Sequence, residues 1–201
     1  MATKEYACVK KTKKAFETSL AELAQSQQLN KITVKMVCEK AQLSRNAFYF
    51  HYKDIGALIS DIEENLIRDA QALLSDLGDL GFPKNVYATI DVLIDLFESH
   101  RDVVMMLLDK SFSATFSERV SKIFSDFNYK YFRQAHGEKS KISYEFFYIF
   151  LSGGFYSIIK YWMDNQEKMS KDALKSLTYV LIKRLLVPSD PDIENISADM
   201  K

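Results

Sequence analysis

Apolar residues recur three and four positions apart along nearly the whole chain, which is the signature of amphipathic helices. The spacing predicts a first helix over roughly 6–27, with Phe16, Leu20, Leu23 and Ala24 on one stripe. Lys10, Lys11, Lys13 and Lys14 line its front edge. A long helix is expected over 54–77, with Leu58, Ile62 and Leu66 on its stripe and Leu73 near its end. Gly78 and Gly81-Phe82-Pro83 then break the pattern. After them Val86, Ile90, Leu93, Ile94 and Phe97 share one face, and a short apolar piece fills 102–109. Another long helix is expected over 114–135, with Gly137 as its stop. Residues 143–164 are apolar nearly all round, which predicts a helix buried on more than one side. A last helix over 171–187 carries Leu174, Leu177, Leu181 and Leu185, and residues 188–201 read as a flexible, solvated tail. There is no internal repeat and no convincing strand. The expected fold class is all-α.

The stretch Ile32 to Ile59 holds two short helices with matched start signals. Thr33 can N-cap the first, with Ile32 and Val37 as a hydrophobic staple. Ser44 can N-cap the second, with Leu43 and Phe48 in the same two positions. Only Ala41, Gln42 and Leu43 lie between them. Two short helices on so tight a turn form a helix-turn-helix unit, whose second helix is shaped to enter a DNA major groove.

The second helix divides by face. Phe48 and Tyr52 can pack inward against the first of the pair, which turns Arg45, Asn46, Ala47, Tyr49 and Phe50 outward. His51 and Lys53 fall near its end. Arginine pairs with guanine, asparagine with adenine, and apolar groups meet thymine methyls. Thr33, Lys35, Tyr49, His51 and Lys53 suit phosphate oxygens, which set register. The candidate DNA-binding set is therefore these residues together with Ser44 at the helix start.

Charge first argues against nucleic acid, because 27 basic side chains balance 27 acidic ones. The average hides a partition: residues 1–60 carry +5 and residues 61–201 carry −5. The N-terminal lysines would add salt-dependent affinity. Only 6 Gly and 3 Pro disfavour a turn-rich β fold, and two cysteines, Cys8 and Cys38, cannot make a disulfide framework. With no apolar run near ~18 residues, a membrane span is not expected, and the chain reads as cytoplasmic.

The order Thr33-Val34…Val37-Cys38…Ala41-Gln42-Leu43-Ser44, then Ala47 through Lys53 and Leu58, closely resembles a known signature. It is the T-V-x-x-I-A-x-x-A-G-V-S-x-x-T-L-Y-x-H-F-x-x-K-x-x-L run of the tetracycline-repressor (TetR) family of transcriptional regulators. Phe16…Leu20…Leu23 resembles that family's first helix, so the likeness spans about a quarter of the chain. Three positions depart from it. Gln42 stands where the family usually has Gly; in a left-handed conformation a non-Gly residue costs ~1–2 kcal/mol. The usual lysine at the start of the fourth helix is displaced, with Lys53 preceding Asp54-Ile55, so that phosphate clamp lacks its usual residue. Cys38 replaces a small alanine between the two helices.

The run Leu151 to Trp162 resembles a helix of one C-terminal subgroup, in which a Gly-bearing helix ends near a Trp. The resemblance implies a homodimer whose last two long helices pair with their copies as a four-helix bundle. Gly153 and Gly154 would permit close approach there, with Leu177, Leu181 and Leu185 as apolar contacts. It further implies a DNA-binding domain over 1–55 and a helical effector-binding and dimerisation domain over 56–187. The partners would be a palindromic double-stranded operator and a small hydrophobic or aromatic effector, and the regulator a repressor.

The chain holds 14 Phe, 11 Tyr and one Trp, most of them after residue 81. Each is core by default, yet a helical regulator's cavity is itself mostly apolar. Met105, Phe116, Phe147 and Phe150 are the expected lining. His100 and His136 lack companions at metal-ligand spacing, and no catalytic constellation or phosphate loop is present, so neither metal, cofactor nor enzyme activity is expected. The rival reading is a helical dimeric regulator that binds protein and has no small-molecule effector.

Overall fold

The computed structural model describes residues 2–78, 80, 84–108, 113–136 and 141–186. Every regular element among them is helical: α1 (Ala2–Ala24), a 3-10 turn (Leu29–Lys31), α2 (Val34–Ala41), α3 (Arg45–His51) and α4 (Ile55–Asp76). Then follow α5 (Lys84–Ser99), α6 (Arg101–Leu107), α7 (Ser113–His136), α8 (Lys141–Asp164) and α9 (Lys171–Leu186). The all-α expectation holds. Among the described residues no helix is long and apolar enough to cross a membrane.

The chain forms two compact units. The first comprises Met1–Asp69 with His100–Phe116, the second Ala70–Ser99 with Ser117–Lys201. In the first unit the expected α1 stripe supplies Phe16 and Leu20, both fully buried, beside Val37, Phe48 and Leu58. The rings of Phe16 and Phe48 meet edge to face at 5.2 Å, and Phe16 meets Tyr52 at 6.4 Å. Edge-to-face pairs of this kind add to the stabilisation from burial alone. The inward pair on α3 thus packs against α1, a longer-range partner than the sequence pattern named. Leu23 and Ala24 are only half-buried, and α1 ends at Ala24 rather than near residue 27. Val104 and Leu107 of α6 are fully buried in the same unit, and Gln25 Nε2 donates to Asp102 Oδ1 at 3.0 Å.

On α4, Leu58, Ile62 and Leu66 are buried as expected, but Leu73 is exposed and Leu74 takes the interior position. Gly78 follows in the left-handed region at φ 64°, a conformation glycine adopts without strain. Residues 81–83, the expected stop at Gly137 and the expected tail 188–201 lie outside the described residues.

In the second unit, Val86, Ile90, Leu93, Ile94 and Phe97 of α5 are buried, as their spacing requires. α9 docks on α5 through charge: Lys171 reaches Asp95 at 3.2 Å and Glu98 at 2.7 Å. Lys175 reaches Asp91 at 3.2 Å and Asp95 at 2.9 Å. Burial on α9 runs through Leu174, Thr178 and Ile182, so Leu177 and Leu181 point away from the core. The expectation that residues 143–164 are enclosed on several sides is not met in the single chain. Tyr148, Ile159, Trp162 and Met163 are buried, whereas Phe146, Ile149, Phe150 and Tyr161 are exposed. Apolar character all round marked a helix that satisfies one partner within its own chain and leaves another face open.

Candidate nucleic-acid interface

The helix-turn-helix begins with the expected caps. Met36 N–H donates to Thr33 Oγ1 at 3.4 Å, and Ala47 N–H donates to Ser44 Oγ at 3.1 Å. Each hydroxyl satisfies one of the unpaired donors of a helix start. The staple residues Ile32, Val37 and Phe48 are buried, and Leu43 is half-buried. Between the helices Gln42 adopts φ 55°, ψ 38°. Its N–H donates to the Glu39 carbonyl at 3.2 Å, and Leu43 N–H donates to the Cys38 carbonyl at 3.0 Å. This is a left-handed C-terminal cap of the kind glycine usually fills, so a non-Gly residue bears the strain that the sequence raised. Cys38 is buried, its Sγ lies 3.9 Å from the Ser44 carbonyl, and burial pushes its thiol above the ordinary range.

With Phe48 turned inward, α3 presents Arg45, Asn46, Tyr49 and Phe50 to solvent, Tyr49 57% and Phe50 80% exposed. Ala47 is half-buried between them. Thr33, Lys35, Ser44 and Lys53 are exposed, and His51 is half-buried at the last position of α3. All ten expected DNA-facing residues therefore lie on or beside one two-helix element. Lys35 makes a weak pair with Glu39 at 3.8 Å on its own helix. The His51 ring meets Phe50 at 5.0 Å, and its pKa is lowered by partial burial and then by the nearby Lys13 charge.

Sequence reasoning missed Asp61. It accepts from Tyr52 Oη at 2.7 Å and from Lys13 Nζ at 3.0 Å, while Lys13 sits 5.3 Å from the centre of the Tyr52 ring. Burial and the hydrogen bond to Asp61 hold the Tyr52 phenol protonated far above the usual range. The available signal was Tyr52 itself, a hydroxyl where the resembling signature has Phe. Lys13 is thus committed within the protein, as are Lys14 to Glu17 and Lys40 to Glu22. Lys10, Lys11, Lys31, Arg45 and Lys53 are exposed with no ion pair among the described residues, and with the weakly paired Lys35 they are cations open to phosphate. Asp54 caps α4, its Oδ1 accepting from Ala57 N–H at 2.8 Å where the clamp lysine is displaced.

The expected effector residues do not gather in one unit. Met105, half-buried, and Phe116, at 1% exposure, belong to the first; Phe147, half-buried against Tyr148 at 5.5 Å, belongs to the second. Phe150 is 67% exposed, so it is corrected from a cavity wall to the open apolar face of α8. Gly153 and Gly154 lie on α8 with nothing within 4 Å of where a Cβ would stand. Leu177 and Leu181 are exposed on α9, and the Leu185 side chain lies outside the described residues.

Comparison with known proteins adds a second line of observation. Residues 84–184 match a family described as "Transcriptional regulator C-terminal region". The TetR transcriptional regulator from Streptococcus agalactiae 2603V is 25% identical, with a TM-score of 0.61 over 90% of this chain and 99% of its own. A transcriptional regulator of the TerR/AcrR family from Aquifex aeolicus VF5 is 19% identical, with a TM-score of 0.68 over 87% of this chain and 99% of its own. Thermus thermophilus FadR, a TetR-family repressor solved with lauroyl-CoA, is 16% identical, with a TM-score of 0.55 over 89% and 97%. No curated protein matches the chain. The matched family and these three structures are transcriptional regulators, not enzymes.

Proposed function

The chain belongs to the TetR family of transcriptional regulators, and from that premise we propose that it is a homodimeric repressor of a palindromic operator, released by a small apolar effector. The observation that carries the reading is the outward set on α3, with Arg45, Asn46, Tyr49 and Phe50 exposed around a buried Phe48. These types on one exposed helical face suit base edges, and Thr33, Lys35, Ser44, Ala47, His51 and Lys53 surround them for phosphate and positioning. A two-fold dimer matches two half-sites one helical turn apart. The exposed apolar residues of α8 and α9, with Gly153 and Gly154, support pairing with a second copy.

In this reading residues 1–55 bind DNA, residues 56–187 dimerise and sense effector, and the protein works in the cytoplasm with its operator. That the Thermus relative is a repressor solved with lauroyl-CoA supports an apolar effector and a repressing role. Helix α4, Ile55–Asp76, is the segment through which effector occupancy would change the separation of the recognition helices. The effector moves that equilibrium only by its differential affinity for the two arrangements. Gel shift with genomic fragments, followed by footprinting, tests the proposal. A protected palindrome that is lost on adding cell extract metabolites supports it, and absence of any preferred fragment overturns it in favour of a protein partner.

A further inference from the structure

Three side chains form a buried polar thread between α5 and α7: Asn85, Thr89 and Asn128, each at least nine-tenths buried. Asn128 Nδ2 donates to the Phe124 carbonyl at 3.0 Å and to Thr89 Oγ1 at 3.2 Å. Thr89 Oγ1 donates in turn to the Asn85 carbonyl at 2.7 Å, and Asn85 Oδ1 accepts from Leu80 N–H at 2.8 Å. These partners fix which end of each amide is nitrogen, because a reversed amide would set donor against donor or acceptor against acceptor. What remains is one donor, Asn85 Nδ2, and one acceptor, Asn128 Oδ1, both buried and without a protein partner. Buried orphans of this kind are rare and each is costly. The third, Ser117 Oγ, lies about three helical turns from Asn128 along α7 and takes no part.

Asn85 and Thr89 are one turn apart on α5 and Asn128 donates to Thr89, so the orphan donor and the orphan acceptor belong to one hydrogen-bonded cluster. Val86, Ile90 and Leu93 on α5 and Phe124 on α7 are buried apolar residues of the same two helices, and the thread contains no charged side chain. We infer that Asn85 and Asn128 are the polar anchor of the effector site, taking a neutral head group that carries both an acceptor and a donor on an otherwise apolar molecule. A carboxamide or a hydroxyl fits. A carboxylate offers no proton to Asn128 Oδ1 and would be desolvated without a counter-charge; an ammonium offers no lone pair to Asn85 Nδ2. The inference rests on the effector-sensing reading above and narrows it to a head-group class.

The test uses the full chain, with octanamide and benzamide set against octanoate and benzoate, ionised at about pH 8. Both amides should raise the thermal midpoint, and the carboxylates at equal concentration should not. Asn128→Leu should bind the amides at least about tenfold more weakly by calorimetric titration. Carboxylates that stabilise as well as amides, no stabilisation by any of the four, or wild-type amide affinity in Asn128→Leu would each overturn it. The last two are what a trapped water in the same place gives. Should Asn128→Leu not fold, Thr89→Val carries the same comparison, and the amide-against-carboxylate result in the unaltered chain stands by itself. Operator binding without ligand, measured on the same sample, separates this inference from the regulator reading. Lost DNA binding with intact amide binding sinks only the latter.

Discussion

Tyr52 donates its phenol hydrogen to Asp61 at 2.7 Å, tying the residue that caps the recognition helix to the first turns of α4. Lys13 of α1 joins the same carboxylate, so three helices meet at one oxygen pair. Tyr52→Phe removes one hydrogen bond to a charged acceptor and keeps the ring that packs on Phe16. A loss of about 1–2 kcal/mol is expected in urea unfolding, with the slope unchanged. The raised Tyr52 pKa has a sign: its stabilisation is complete below the unfolded value of about 10 and is lost as pH rises beyond it. Tyr52→Phe should therefore flatten the alkaline fall in stability, and an unchanged alkaline limb counts against the assignment.

Gln42→Gly should stabilise the protein. The left-handed backbone strains glutamine by ~1–2 kcal/mol, and glycine's greater unfolded-state freedom offsets part of the gain. A net rise of about 0.5–1 kcal/mol, or ~2 °C in Tm, is expected by calorimetry with DNA affinity unaltered. A lower Tm would show that the glutamine side chain holds something its exposure does not suggest.

Arg45→Ala should weaken operator binding by ~1–3 kcal/mol and relax preference at one base position. Lys10→Ala with Lys11→Ala should instead weaken all sequences alike and lower the slope of affinity against salt. Lys13→Ala should leave that slope nearly unchanged, because Asp61 already neutralises this cation. Fluorescence anisotropy over a salt series separates the three, and a slope change for Lys13→Ala matching that of the other lysines refutes the commitment of Lys13 to Asp61.

His51 provides a pH dependence. Its depressed pKa leaves it neutral at pH 7, and a phosphate beside it would favour the protonated ring. Operator affinity should rise as pH falls below about 6.5, while stability of the free protein falls over the same window. His51→Gln should remove both trends; persistence of the affinity trend in that variant assigns it elsewhere.

Leu181→Glu places a charge on the exposed face of α9 while leaving Leu174 and Ile182 in the core. Sedimentation should find a dimer for the unaltered chain and a monomer for the variant, with helix content preserved and operator affinity sharply lower. A dimeric variant would move the interface off this face.

The helix-turn-helix was legible because its determinants are local: Thr33 and Ser44 cap within three residues, and Phe48 follows from helical spacing. Its packing on Phe16 was not, since sequence spacing says which face is inward and not which distant element meets it. The same gap hid Asp61, which lies 48 residues from Lys13. Leu73 was misplaced because the interior stripe of α4 advances by fours through Ile62, Leu66 and Ala70 to Leu74. On α8 and α9, hydrophobicity registered a need for burial and could not tell a partner within the chain from one outside it. The orphaned amides of Asn85 and Asn128 had no sequence signature at all, because an orphan is defined by what surrounds it.

Helix α9 holds to α5 by ammonium–carboxylate pairs at Lys171 and Lys175, and turns Leu177, Val180 and Leu181 outward. Ionic strength therefore acts unevenly on this helix: concentrated salt screens the partly exposed pairs, while it favours the burial of Leu174 and Ile182 and apolar association on the outer face. In the proposed dimer on its operator, rising salt would therefore strip phosphate contacts before it parted the two copies.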